Sequence, residues 1–340
     1  MPLYALEDLD DALDATRAFL WPFDRSRWIK LAFVVFFVGG PAANLNSFQY
    51  NVPADQGPPG GMPGLGDFGP RVWLLIGGII LAALLIGLLF LLIGSIMEFV
   101  LIESLRQEEV SVRQYWSELW RQGVRLFAFR VLIGLIVFGS VALIAALFLL
   151  PVIVESGPGI ANPFSGFSVV AFLLLLPVII VLAVLVGLVN GFTTVFVVPI
   201  MVLDECGVLD GWRRLWPTIT ANPWQYLTYA VASFVLSIAG GIAIAIVAGL
   251  SVLLLLIPFG ILGLIGFGLF LAVAPVGIAV LAIVGILFVL AVLAVIALVQ
   301  MPVVTYLRYY ALLVLGDISD DLDLIPDRRS AIRGGDDATE

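Results

Sequence analysis

Two carboxylates, Glu98 and Glu103, stand five residues apart at the edge of an otherwise apolar stretch, and they are the side chains best placed to handle an ion. A carboxylate at the mouth of a membrane cavity can take up a cation or a proton, as in a coupled carrier. The same pair can instead lie at the membrane interface, neutralised by Arg106 or by an arginine of a surface helix. We expect the second arrangement. Asn190, Thr193, Thr194 and Gln300 are further polar groups within or near apolar stretches, and hydrogen bonds between helices account for them.

Other reactive chemistry is missing. The chain has no His, so neither a Ser-His-Asp triad, a Cys-His pair nor histidine metal ligation can form. Cys206 is the single cysteine; it excludes an intrachain disulfide and reads as a small interfacial side chain. No Gly-x-Ser-x-Gly elbow and no phosphate-cradling loop is present, and no Asp lies deep in an apolar run. We therefore expect no enzyme, with no catalytic residue, no metal and no cofactor. A net charge of -9 also argues against nucleic acid, whose phosphates are bound by clustered basic residues.

The surroundings of these residues point to a bilayer. No Asp, Glu, Lys or Arg occurs from Leu215 to Leu307, 62% of all residues are apolar, and the mean hydropathy is +1.15. A soluble core has no need of so long an uncharged tract, whereas charge in hydrocarbon costs several kcal/mol. Apolar runs near 20 residues predict six spans, about 28 to 44, 72 to 97, 128 to 153, 169 to 198, 226 to 257 and 276 to 302. Phe259 to Ala274 is also apolar, but it is short, glycine-rich and bounded by Pro258 and Pro275, so it predicts a re-entrant or interfacial hairpin. The Gly/Pro-rich stretch Pro53 to Pro70 predicts a flexible loop.

Basic residues fall fifteen to one on the two sides of this arrangement, Arg71 being the exception, which predicts cytoplasmic termini in the cell membrane. The first 27 residues carry six acids, unlike the basic start of a cleaved signal. All basic residues but Lys30 are arginine, and the acidic, lysine-poor balance suits a high-salt cytoplasm.

The expected fold is an all-α integral membrane protein of six transmembrane helices in three helical-hairpin repeats, each preceded by an amphipathic interfacial helix. The repeats cover about 8–105, 106–203 and 204–316 within one polytopic domain, 1–316; residues 317–340 form an acidic, disordered tail. Ala12-Leu13-Asp14, Arg17 and Trp28 recur as Val208-Leu209-Asp210, Arg213 and Trp224 at an offset of 196, and Trp116 and Trp120 match Trp212 and Trp216 at 96. Trp28, Trp116, Trp120, Trp212, Trp216 and Trp224 read as interfacial anchors, with Arg213 and Arg214 reaching water or lipid phosphate. Ser233, Ser237, Gly241, Ala245 and Gly249 repeat every fourth residue, and Gly187 and Gly191 do the same; both stripes predict close helix packing within the chain.

The run Ala12 to Arg17 with Trp21-Pro22-Phe23 and Trp28, and the closing run Pro302 to Leu312, resemble uncharacterised multi-pass proteins of halophilic archaea. Asp210 to Trp216 is similar to the membrane domain attached to some glycerophosphodiester phosphodiesterases. The resemblance implies a multi-pass anchor and supplies no catalytic residue, since the phosphodiesterase domain is absent. The expected function is non-enzymatic organisation of membrane lipid or of membrane protein partners; the alternative is a transporter of an apolar or lipid-like solute. The oligomeric state is not legible. In a Cys206→Ala background, a cysteine replacing Ser47 should react with an impermeant maleimide on intact cells and one replacing Ser330 should not; the reverse pattern refutes the orientation.

Overall fold

In hydrocarbon a backbone N–H finds a partner only within its own helix, so apolar runs of this length fold as continuous helices. The computed structural model describes residues 4–39, 69–156 and 166–336. In order these form α1 (Tyr4–Leu20), α2 (Arg25–Val38), α3 (Pro70–Arg106), α4 (Val112–Ser156) and α5 (Gly166–Phe192). One π-helical turn, Thr193–Val197, leads into α6 (Val198–Asp204), followed by α7 (Val208–Ala221), α8 (Pro223–Ala272), α9 (Ala274–Ile318) and α10 (Pro326–Asp336). No strand occurs among the described residues.

Five stretches are long and apolar enough to cross a membrane: Pro70–Arg106, Val112–Ile144, Leu175–Asp204, Pro223–Ala272 and Ala274–Ile318. Of the first expected span, α2 supplies the part from Trp28 to Val38, and residues 40–44 lie outside the described residues. Most of the loop from 44 to 70 and that from 155 to 168 also lie outside them.

Buried side chains gather at one end. Phe19 of α1, Phe99 and Leu101 of α3, Leu126 of α4, Phe196 of the π turn, Tyr229 of α8, and Tyr309 and Tyr310 of α9 are buried together, while most described side chains farther along the long helices are exposed or partly exposed. Phe196 meets Tyr229 edge-on with ring centroids 4.8 Å apart, Tyr229 stacks on Tyr310 at 5.2 Å, and Phe19 meets Tyr309 at 5.9 Å. Such pairs favour offset or edge-on geometry and fix how the helices cross. The terminal helices α1 and α10 both pack at this core end.

The arms projecting from the core measure one bilayer. Pro70 lies 28 residues from Glu98 and Gly166 lies 28 from Thr194, roughly 42 Å each at the α-helical rise, against about 40–45 Å for a bilayer with headgroups. The α8–α9 hairpin is longer, since 39 residues separate Ser233 from Ala272, roughly 58 Å.

Several expectations change. Residues 259–274 do not re-enter: α8 continues through Pro258 to Ala272 and the chain turns at Val273, where Gly277 permits contact, because a Cβ there would lie 2.1 Å from the Phe270 backbone. Pro258 removes one hydrogen bond, and the unbroken apolar surface on both sides keeps the helix the cheaper solution. The middle surface helix is not separate, for Trp116 and Trp120 stand in the first turns of α4, which runs on into its span. Chain breaks do divide α1 from α2 and α7 from α8. The stripe glycines have no close neighbour within the chain: a Cβ at Gly187, Gly191, Gly241 or Gly249 would meet nothing among the described residues, and Ser237 and Ala245 are exposed. Close approach occurs at Gly240 on Val303 and at Gly94 on the Phe37 carbonyl instead.

The tail is largely ordered. Arg333 of α10 donates to Asp8 (2.9 Å), Asp11 (2.9 Å) and Asp317 (2.6 Å), and Arg329 to Asp317 (2.6 Å). Arg328 reaches Glu108 at 2.9 Å. Arginine forks anchor what an acidic composition alone reads as disordered. Asp8 is fully buried; that burial, then the closeness of Asp317, pushes its pKa up to about 8. Burial also raises Asp323.

A raised carboxyl pKa means that the folded chain keeps a proton the unfolded chain has lost, so Asp8 destabilises the fold progressively as pH rises from the ordinary carboxyl range to about 8. Thermal melting in uncharged detergent should therefore fall across that window, and Asp8→Asn should flatten most of the fall; a wild-type melting temperature independent of pH there refutes the assignment.

Candidate functional site

At the core end three charges meet from three helices. Glu98 on α3 accepts a 2.6 Å hydrogen bond from Arg308 on α9, and Arg130 on α4 lies 3.6 Å from the other carboxylate oxygen. Arg130 also donates to Ser95 Oγ at 3.2 Å and to Thr194 Oγ1 at 2.9 Å, while Arg308 donates to the Thr194 carbonyl at 3.1 Å. Ser95 and Glu98 share a helix face, being three residues apart. Two arginines and one glutamate leave the cluster with a charge of +1.

Thr194 belongs to the π turn. That wider turn displaces backbone groups from the regular ladder and is common where a helix is shaped for a site. α7 holds it in place: Trp212 Nε1 donates to Thr193 Oγ1 at 3.0 Å, Thr193 donates to Val189 O at 2.6 Å, and Gly211 lets α7 press against Val197, where a Cβ would lie 2.8 Å from the valine side chain.

Beside the cluster lies a cavity of about 650 Å³. Glu98, Arg130 and Arg308 form its polar end; Gly187, Asn190 and Gly191 of α5, and Tyr229, Ser233, Phe234 and Ser237 of α8, form its walls. The small-residue stripes thus leave a gap between α5 and α8. Asn190 Oδ1 is buried at this wall and accepts no hydrogen bond in the structure. A second cavity, about 350 Å³ and wholly apolar, lies between Phe33, Phe36 and Phe37 of α2 and Leu290 and Leu293 of α9.

The sequence-predicted pair does not act together. Glu98 is deeply buried and pairs with Arg130 and Arg308, not with Arg106 or a surface-helix arginine. Glu103 pairs with Arg106 (3.6 Å) and accepts from Gln107 (2.8 Å), as the interfacial reading expects. Arg130 and Arg308 were missed as site residues. Their signal is position, for each is a lone charge at an end of an apolar run, at the depth of Glu98.

The aromatic anchors divide. Trp28 donates to the Leu20 carbonyl at 3.2 Å and Trp212 to Thr193, so both tie elements of this chain together. Trp216 (59% exposed), Trp224 (73%) and Trp120 present open rings, and Trp116 is half-buried against the core. Arg213 pairs with Asp210 at 3.3 Å; Arg214 pairs with Asp204 and reaches the Asp321 carbonyl at 3.5 Å, so it holds protein rather than standing free for lipid phosphate. Burial raises the Cys206 thiol pKa. Among the described residues no three His, Cys, Asp or Glu side chains come together as a metal requires.

Residues 3–325 match the model of a family of unknown function (DUF7544), and the chain belongs to that family. No curated protein and no solved structure matches the chain.

Trp212→Phe keeps the ring's bulk and loses the bond to Thr193, so it should cost roughly 1 kcal/mol and lower the melting temperature by about 2 °C. Trp216→Phe should leave it unchanged. Equal effects in a melting series refute the buttressing role of Trp212.

Proposed function

We propose that this member of a family of unknown function is a non-enzymatic multi-pass membrane protein that holds a membrane amphiphile at the core end of its bundle. One observation carries the reading: a cavity of about 650 Å³ with mostly apolar side walls ends in an arginine-rich polar cluster. Small-molecule sites have this combination of apolar walls and a few convergent polar groups. Its depth agrees, because the cluster lies one bilayer from the far ends of α3 and α5, where headgroups sit. A lipid polar group would meet Arg130, Arg308 and Thr194, with its chains passing between α5 and α8.

The cell membrane and a cytoplasmic core end belong to this proposal. The fifteen-to-one distribution of basic residues supports them, and with them a pocket in the inner leaflet. The acidic, lysine-poor composition supports a high-salt cytoplasm. Membrane lipid is the proposed partner; the exposed rings of Trp120, Trp216 and Trp224 suit headgroup depth. The pocket also supports the transport alternative, as one access state of a carrier for a lipid-like solute.

Gly191→Leu tests the pocket, since Gly191 lines the cavity and a Cβ there meets nothing within 4 Å. Native mass spectrometry of protein extracted in mild detergent should show lipid bound to the wild type and to Gly249→Leu, and little bound to Gly191→Leu, with all three melting alike. Undiminished lipid on Gly191→Leu refutes the pocket.

A further inference from the structure

Resting on that pocket, we propose that its polar end is selective for an anion of the phosphate class, with Glu98 as an internal competitor that limits the affinity. The cluster carries +1, and its members are not equally open. The Glu98 side chain is 3% exposed, against 17% for Arg130 and 10% for Arg308, so the carboxylate backs the arginines and the guanidinium groups are the more accessible surface. Unbalanced charge in a low-dielectric wall is costly, and a bound anion relieves it.

Geometry favours an oxyanion with several oxygens. Each guanidinium has five N–H groups. Two of those on Arg130 go to Ser95 and Thr194, and two of those on Arg308 go to Thr194 and Glu98, which fixes both planes while leaving donors for a ligand. Arginine forks of this kind match phosphate oxygens in pairs. The phosphate has two sources, a lipid headgroup or a free ion, and the apolar walls beside Gly191 and Phe234 favour the lipid.

The test is titration calorimetry on the full chain in uncharged detergent with three probes: short-chain phosphatidic acid, the matching diacylglycerol, and inorganic phosphate. We expect phosphatidic acid to bind about tenfold or more tighter than either other probe, and R130Q to abolish that preference. E98Q raises the cluster from +1 to +2 and should tighten phosphatidic acid binding about tenfold, whereas a merely structural Glu98 would make E98Q weaken it.

If E98Q does not fold, the wild type decides: its affinity for phosphatidic acid should fall as sulfate is added, and insensitivity to sulfate overturns the proposal. Diacylglycerol binding as tightly as phosphatidic acid overturns anion selectivity while upholding the pocket. Inorganic phosphate binding as tightly as phosphatidic acid, undisturbed by G191L, upholds the anion site and overturns the lipid pocket. Binding of no probe overturns both.

Discussion

A charge at the hydrocarbon boundary must find its partner inside the protein, and the meeting of Arg130, Glu98 and Arg308 satisfies that requirement for three helices at once. Each of these side chains sits alone beside an apolar run, so α3, α4 and α9 are bound to cross where the three can touch. The π turn follows from the same need, since Thr194 offers its hydroxyl to Arg130 and its carbonyl to Arg308. Removing Glu98 would leave two buried arginines without a counter-charge, which is more costly than never having buried the set.

Around that meeting point the packing is uneven. Tyr229, Tyr309, Tyr310, Phe19 and Phe196 fill the core end, and α1, α7 and α10 close it from the outside. Beyond it α8 and α9 stay packed as a hairpin, and the long helices expose leucine and isoleucine along their length, as suits arms solvated by lipid. The structure joins a buried plug to lipid-exposed arms, and the cavity opens where the two regimes meet. Small residues on α5 and α8 keep that opening wide by placing no side chain in it.

The acidic segments at the two chain ends show how ion pairing overrides composition. Asp8, Asp11 and Asp317 come from α1 and α9, and Arg333 donates to all three and so bridges the two elements. The arrangement converts a tail of unfavourable composition into a helical clasp holding the chain ends together.

Much of this was legible in the residues themselves. Absence of charge from Leu215 to Leu307 dictates helices in a membrane, because hydrocarbon tolerates neither an unpaired charge nor an open backbone, and that depends on local composition alone. The amphipathic α7 was equally visible, as were the breaks before α2 and α8. The partners of Glu98 were not. Arg130 and Arg308 lie 32 and 210 positions away, and nothing in spacing says which of several lone arginines a crossing brings near. The same gap explains Gly187, Gly191 and Ser237: a smooth stripe serves equally to admit a helix or to leave a space. Sequence periodicity determines which face is smooth; only the tertiary arrangement decided what stands opposite it, because helix crossing is settled by the whole packed core and the charges it must neutralise.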